Sequence, residues 1–134
     1  MRFVALVHKD PDTDFGVSFP DVPGCTALGK TYELALDSAA EALAFHIEGM
    51  LDADEDMPIA RPAEDILADP ELTEDLVGAT LAIVPLVQAG GANLRINLSI
   101  DSKSLAAIDD AAKRRGMTRS AFIAETGLRE ARRL

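Results

Sequence analysis

The sequence predicts an α+β protein of two modules, the first with the element order β-β-β-α-β and the second with the order β-α-α. Within residues 1–88, short apolar or alternating runs surround a long stretch whose apolar residues recur at helical spacing. The run Ala89-Gly90-Gly91-Ala92 has the composition of a flexible linker, so residues 89–92 are expected to join the modules. Residues 93–134 contain one alternating run followed by two shorter helical patterns.

The strands of the first module are predicted from short runs between turn residues. The consecutive apolar side chains at 3–8 are typical of a central strand that is covered on both faces. A polar turn separates this strand from an alternating run at 15–19, and a third short strand is expected at 25–29. The run 80–87 contains Pro85, which makes it a candidate edge strand because proline lacks a backbone N–H.

A long helix is predicted from Thr31 to Asp52. Thr31 can cap its N-terminus, because a threonine hydroxyl accepts a hydrogen bond from a free N–H of the first turn. One apolar stripe at helical spacing should face the sheet: Leu36, Ala40, Leu43, Ile47 and Met50 or Leu51. Residues 59–78 are rich in proline and acidic residues, and one short helix is expected there, from Ala63 to Ala68.

Charge is divided unevenly between the two halves of the chain. Residues 1–92 contain 4 Lys and Arg against 18 Asp and Glu, a net charge of −14, whereas residues 93–134 contain 9 against 5, a net charge of +4. The basic part suits DNA, while the acidic part would attract a cationic partner or simply keep the protein in solution. The single cysteine, Cys25, excludes an internal disulfide and fits a reducing cytoplasm, and neither a signal peptide nor a membrane span is expected.

The alternating run at 93–99 is expected to read DNA. It places two sets of side chains on opposite faces of a strand: Leu94, Ile96 and Leu98 on one, and Asn93, Arg95 and Asn97 on the other. About forty residues are too few for a stable isolated core, so the tail should be a homodimer whose two strands pair into a ribbon. Arg and Asn side chains match guanine and adenine edges, which predicts base contacts in the major groove of a palindromic operator.

Two helices should follow this strand. Asp101 can cap the first, and Gly116 is placed to terminate it. Asp109 and Asp110 lie on this helix and are expected to face away from DNA. The free N–H groups at the start of the last helix form a natural phosphate site, which predicts phosphate contacts at Thr118, Arg119 and Ser120.

The tail resembles the ribbon-helix-helix family of dimeric bacterial repressors. The resemblance rests on the strand, on Leu105 and Ile108, and on the run Gly116-Met117-Thr118-Arg119-Ser120-Ala121-Phe122-Ile123. The resemblance implies the contacts already predicted above, with base contacts from the strand and phosphate contacts from the start of the last helix.

The first module resembles the HicB family of antitoxins, one branch of which ends in a ribbon-helix-helix domain. The resemblance rests on the run Phe19-Pro20-Asp21-Val22-Pro23-Gly24-Cys25 and on Gly29-Lys30-Thr31, which opens an alanine-rich helix. It implies a partial ribonuclease H-like fold without the catalytic carboxylates. It also implies a partner, HicA, a small basic toxin that cleaves mRNA, although no toxin-contacting residue can be assigned.

We expect no catalytic residue, metal ion or cofactor. His8 and His46 are isolated in the pattern, Cys25 has no activating base near it in sequence, and no phosphate loop or zinc spacing occurs. The first hypothesis is therefore a cytoplasmic antitoxin that represses its own operon as a dimer, or as a tetramer if the first module also associates. The alternatives are a ligand-responsive ribbon-helix-helix repressor and, less favoured, a metal-dependent nuclease.

Overall fold

The computed structural model describes residues 1–133. The chain divides into a first compact unit built on residues 1–88 and a second unit, Ala89–Ala131. None of the helices in this described part of the chain is both long enough and apolar enough to cross a membrane.

The first unit contains a four-stranded antiparallel sheet. Its strands are β1 (Arg2–His8), β2 (Phe15–Ser18), β3 (Thr26–Gly29) and β4 (Thr80–Pro85). They lie in the order β3-β2-β1-β4, with Val7 opposite Val17 and Ala5 opposite Ala82. The central position of β1 and the edge position of β4 confirm both predictions. The proline-containing strand occupies an edge, where a missing N–H costs no ladder hydrogen bond.

The helix α1 (Tyr32–Asp52) covers one face of this sheet. The Thr31 hydroxyl accepts a hydrogen bond from the Leu34 N–H at 3.1 Å, which confirms the predicted cap. Gly29 lets the first turn of α1 approach β3 closely, because a Cβ added there would clash with the backbone of Ala35. The core on this face is formed by Phe3, Ala5, Val7, Val17, Val84 and, from α1, Ala35, Ala39, Ala40, Leu43 and Ile47. Leu36 and Met50 lie at its margin, whereas Leu51 is exposed.

The opposite face of the sheet is covered as well. Val4 and Leu6 alternate with the β1 residues that face α1, and both are buried. The chain after α1 forms α2 (Ala63–Ala68), a 3₁₀ turn (Pro70–Leu72) and α3 (Thr73–Leu76). Ile66 of α2 is fully buried and does not belong to the cluster beneath α1.

Arg61 ties the segment after α1 to the turn between β2 and β3. Its backbone N–H and its Nε donate to the Asp21 carboxylate at 2.8 and 2.7 Å, and its Nη1 donates to the Asp69 carboxylate at 2.8 Å. The Arg61 guanidinium lowers the pKa of the Asp69 carboxyl. Asp21 belongs to the run that carries the antitoxin resemblance, and its structural role is to hold a segment 40 residues away.

The second unit contains α4 (Ser102–Arg114) and α5 (Arg119–Ala131). The Asp101 carboxylate accepts a hydrogen bond from the Ser104 N–H at 2.9 Å, and the Thr118 hydroxyl accepts one from the Ala121 N–H at 3.2 Å. Gly116 has φ = +65°, a left-handed conformation that ends α4. The two predicted helices, the Asp101 cap and the termination at Gly116 are therefore confirmed.

The strand predicted at 93–99 is not formed within the single chain. These residues are exposed and belong to no sheet. Alternating polar and apolar residues predict an extended strand, but a β-ladder requires a second strand whose N–H and C=O groups face the first. The four strands of the first unit pair only with one another.

Candidate functional site

The segment 93–99 exposes a row of large apolar side chains. Leu94, Ile96 and Leu98 are 85%, 71% and 58% exposed, respectively. Asn93, Arg95 and Asn97, which alternate with them, are exposed too. Isolated exposed apolar residues are common, but three at alternating positions of one segment form a continuous patch that is typical of an interaction site.

A groove in the second unit brings most of the predicted DNA contacts together. It has a volume of about 1110 Å³. Its lining includes all three predicted base contacts, Asn93, Arg95 and Asn97, and two of the predicted phosphate contacts, Arg119 and Ser120. Thr118 is not among its lining residues, and its hydroxyl caps α5. The groove therefore joins the 93–98 segment to the N-terminal part of α5.

Asp109 holds the Arg119 side chain. The guanidinium donates from Nε and Nη2 to the two oxygens of the Asp109 carboxylate, each at 2.8 Å. These hydrogen bonds lower the pKa of the Asp109 carboxyl and raise that of Arg119. Asp109 thus contacts one of the predicted phosphate-binding residues.

A second ion pair links the same two helices. Arg115 Nη2 donates to the Glu125 carboxylate at 2.8 Å, and the Arg115 guanidinium lies 6.0 Å from the Phe122 ring centroid. Both pairs join residues ten positions apart across the turn at Gly116. They link α4 to α5 on either side of this turn.

In the first unit, the outward face of α1 is both acidic and partly apolar. Positions 34, 41, 45, 48 and 52 fall within a narrow arc of the helix that is directed away from the core, because a helix turns once in 3.6 residues. Phe45 is 79% exposed and Leu34 is 52% exposed. Glu41, Glu48 and Asp52 lie beside them and are exposed.

His8 and Cys25, two candidate catalytic residues of the first unit, are in structural environments. His8 Nε2 makes a hydrogen bond with the Asp75 carbonyl oxygen at 2.7 Å, which helps hold α3 to the end of β1. Cys25 is buried, and burial raises the pKa of its thiol, which makes it a weak nucleophile. Within residues 1–133, no three His, Cys, Asp or Glu side chains cluster closely enough to hold a metal ion.

Comparison with known proteins identifies the family. The model of the HicB-like antitoxins of bacterial toxin–antitoxin systems matches residues 3–127. The chain belongs to the HicB-like antitoxin family. An uncharacterised 14.9 kDa protein of Haemophilus phage HP1, encoded in the rep-hol intergenic region, is 38% identical over 109 residues, which are 81% of this chain and 80% of that protein.

Solved HicB structures share the fold. The antitoxin HicB of Burkholderia pseudomallei is 35% identical, with a TM-score of 0.57 over 96% of each chain. A structure described as the HicA3 and HicB3 toxin–antitoxin complex contains a chain that is 28% identical, with a TM-score of 0.51 over 62% of this chain and 94% of that one. The four-stranded antiparallel sheet with its helices is thus the architecture of HicB antitoxins.

Two features of this HicB-like antitoxin escaped the sequence analysis. The contact between Asp109 and Arg119 spans a helix, a turn and the start of another helix, so no regular spacing indicates it. The outward face of α1 could have been found from the sequence. At helical spacing, Phe45 falls on the same face as three acidic residues and opposite the predicted apolar stripe.

Proposed function

We propose that this HicB-like antitoxin binds and neutralises a small basic, mRNA-cleaving HicA-type toxin, and that it represses its own operon as a DNA-binding homodimer. The division of labour follows the charge: residues 1–88 bind the toxin, residues 89–92 are a linker, and residues 93–134 form a ribbon-helix-helix domain. Both proposed partners, mRNA-cleaving toxin and operator DNA, belong to the bacterial cytoplasm, and we place the protein there.

The observation that carries the DNA-binding half is the exposed alternating segment. Burial of Leu94, Ile96 and Leu98 is favourable, because it removes from water large apolar side chains that are mostly exposed in the single chain. Antiparallel pairing of the segment with its copy in a second chain would bury them against the helices and satisfy the unpaired backbone groups. The same pairing would direct Asn93, Arg95 and Asn97 of both chains to the opposite face, into the major groove.

The N-terminus of α5 would position this ribbon on the DNA backbone. The first N–H groups of a helix lack intrahelical acceptors and attract a phosphate. Arg119 and Ser120 line the groove beside the proposed base contacts, which supports their role as phosphate contacts together with the Thr118 backbone. A DNA phosphate would replace the Asp109 carboxylate as the acceptor for the Arg119 guanidinium. The free energy of DNA binding therefore includes the cost of breaking the Asp109–Arg119 ion pair.

The toxin-binding half rests on family membership and charge. The net charge of −14 in residues 1–92 favours association with a basic protein and disfavours DNA, which separates the partners of the two units. The order of elements in the first unit agrees with a partial ribonuclease H-like domain, and we propose that it serves as a binding scaffold and not as a nuclease.

The deciding experiment is co-expression with the product of the adjacent gene, which we expect to be a small basic protein. We expect the two proteins to co-purify and the antitoxin to restore growth that the neighbour alone arrests. The upstream DNA of the operon should be bound by the purified antitoxin in a gel-shift assay, whereas a scrambled fragment of equal length should not. A chain that binds this DNA but neither co-purifies with nor protects against the neighbour would favour the ligand-responsive repressor.

A further inference from the structure

The outward face of α1 has an unusual composition for a solvent-exposed helix face. It consists of Leu34, Glu41, Phe45, Glu48 and Asp52, here called the α1 stripe, and Phe45 lies at its centre with 79% of its surface exposed. The buried side of the same helix, which includes Ala39, Leu43 and Ile47, is already filled by the sheet. Phe45 therefore contributes nothing to the core of the first unit.

The carboxylates in the middle and at the C-terminal end of α1 are arranged unfavourably for a helix. The helix contains no Lys or Arg, and its five carboxylates include the pairs Asp37 with Glu41 and Glu48 with Asp52, each four residues apart. Like charges at that spacing repel, and Asp52 adds negative charge at the helix end that is already negative. None of the ion pairs found in residues 1–133 involves a carboxylate of α1. This arrangement costs stability in the free protein and becomes favourable when a cation arrives.

A second copy of this chain is a poor occupant for the α1 stripe. A two-fold axis through the stripe would bring Glu41, Glu48 and Asp52 of both copies together, and such like-charge contacts oppose association. A basic protein meets both requirements of the surface, because its Lys or Arg head groups pair with the carboxylates. Apolar side chains of such a protein, or the planar guanidinium group of one of its arginines, can pack on the Phe45 ring.

We propose that the α1 stripe is the docking surface for a basic protein, with Phe45 as the apolar anchor and Glu41, Glu48 and Asp52 as its charged surround. The inference rests on the proposed antitoxin function and assigns the toxin to this face of the first unit. Attraction between the acidic face and a basic partner speeds encounter, and burial of Phe45 slows dissociation.

The test measures binding of the full-length chain to the basic neighbour protein, which is prepared by chemical synthesis and folded separately. Phe45→Ala and the double variant Glu48→Lys/Asp52→Lys should each weaken binding about tenfold or more, as expected for a central anchor and its charged surround. Matched controls on the same unit are Val77→Ala, an exposed apolar residue, and Glu74→Lys, an exposed acidic one. Both controls should stay within about twofold of the parent.

Thermal melting of the free protein separates a binding role from a structural one. Glu48→Gln removes one repulsive pair, so it should leave the melting temperature equal to or above that of the parent while it weakens binding of the neighbour. A loss of binding that is accompanied by a lower melting temperature in all stripe variants would overturn the proposal, because it would indicate damage to the fold.

The outcomes distinguish the inference from the function on which it rests. If the parent chain fails to bind the neighbour, the antitoxin proposal itself fails. If the parent binds and the stripe variants bind equally well, only the location is wrong. If light scattering shows a smaller oligomer for the stripe variants while their affinity for the neighbour is unchanged, the α1 stripe binds a second copy of this chain. That result would overturn the proposal.

Discussion

The dimeric ribbon can be tested through Ile96, whose side chain would lie on the face of a paired strand opposite the predicted base contacts. Replacing it by Ala removes three carbons, which are worth about 0.8 kcal/mol each when fully transferred from water. Ile96 is 71% exposed in the single chain. Pairing of two chains would bury about that fraction of the side chain. Loss of the three carbons should therefore weaken the dimer by roughly 1.7 kcal/mol per chain, or about 3.4 kcal/mol per dimer. Since 1.4 kcal/mol is a factor of ten, the dimer Kd should rise about 300-fold.

The assay is sedimentation equilibrium of the full-length chain, with Asn97→Ala as the matched control one residue away on the opposite face. If the first unit also associates, the parent is a tetramer and Ile96→Ala should release dimers, so the mass still falls by half. Asn97→Ala should leave the mass unchanged and weaken operator binding. An unaltered dimer Kd for Ile96→Ala, or an equal loss for Asn97→Ala, would refute the assignment of these two faces.

Three further predictions concern the base contact, the Arg61 contacts and the division between the units. Arg95→Ala should lower specific operator affinity by about 1–3 kcal/mol in fluorescence anisotropy and leave toxin binding nearly intact; unchanged operator binding would exclude a base contact. Arg61→Ala should lower the melting temperature at pH 7, because its partner Asp69 has a lowered pKa in the folded protein. This contribution is present above the ordinary carboxyl pKa and disappears as the pH falls through the lowered value, so the difference from the parent should shrink in acid. Residues 1–88 alone should suppress the toxin in a growth assay; protection by the full chain only would contradict the proposed division.

Secondary structure in this protein follows from local rules and was therefore predictable. Thr31 and Asp101 cap helices by accepting bonds from N–H groups three residues away, and Gly116 ends α4 by adopting positive φ. Each of these effects depends on a few neighbouring residues, so it can be recognised in the sequence before any tertiary contact is known. The same holds for β1, whose apolar run on both faces predicted a central, covered strand.

Residues 59–78 were harder to predict because their structure depends on distant partners. Arg61 contacts Asp21, which is 40 residues earlier, and Ile66 is fully buried although most of its short helix is exposed. No periodicity of 2 or 3.6 residues extends over such distances. The helix predicted at Ala63–Ala68 is confirmed as α2, whereas the 3₁₀ turn, α3 and the contacts of Arg61 were not predicted.

The sequence by itself determined the α+β class, the charge division and the candidate DNA contacts, since composition and alternation are properties of neighbouring residues. Tertiary structure decided which of these residues meet: Arg119 with Asp109, Arg61 with two aspartates, and Phe45 with no residue of the core. The segment 93–99 falls between these cases. Its alternation predicts a strand, but a strand is completed only by hydrogen bonds to another backbone, and the sequence of one chain does not specify where that backbone comes from.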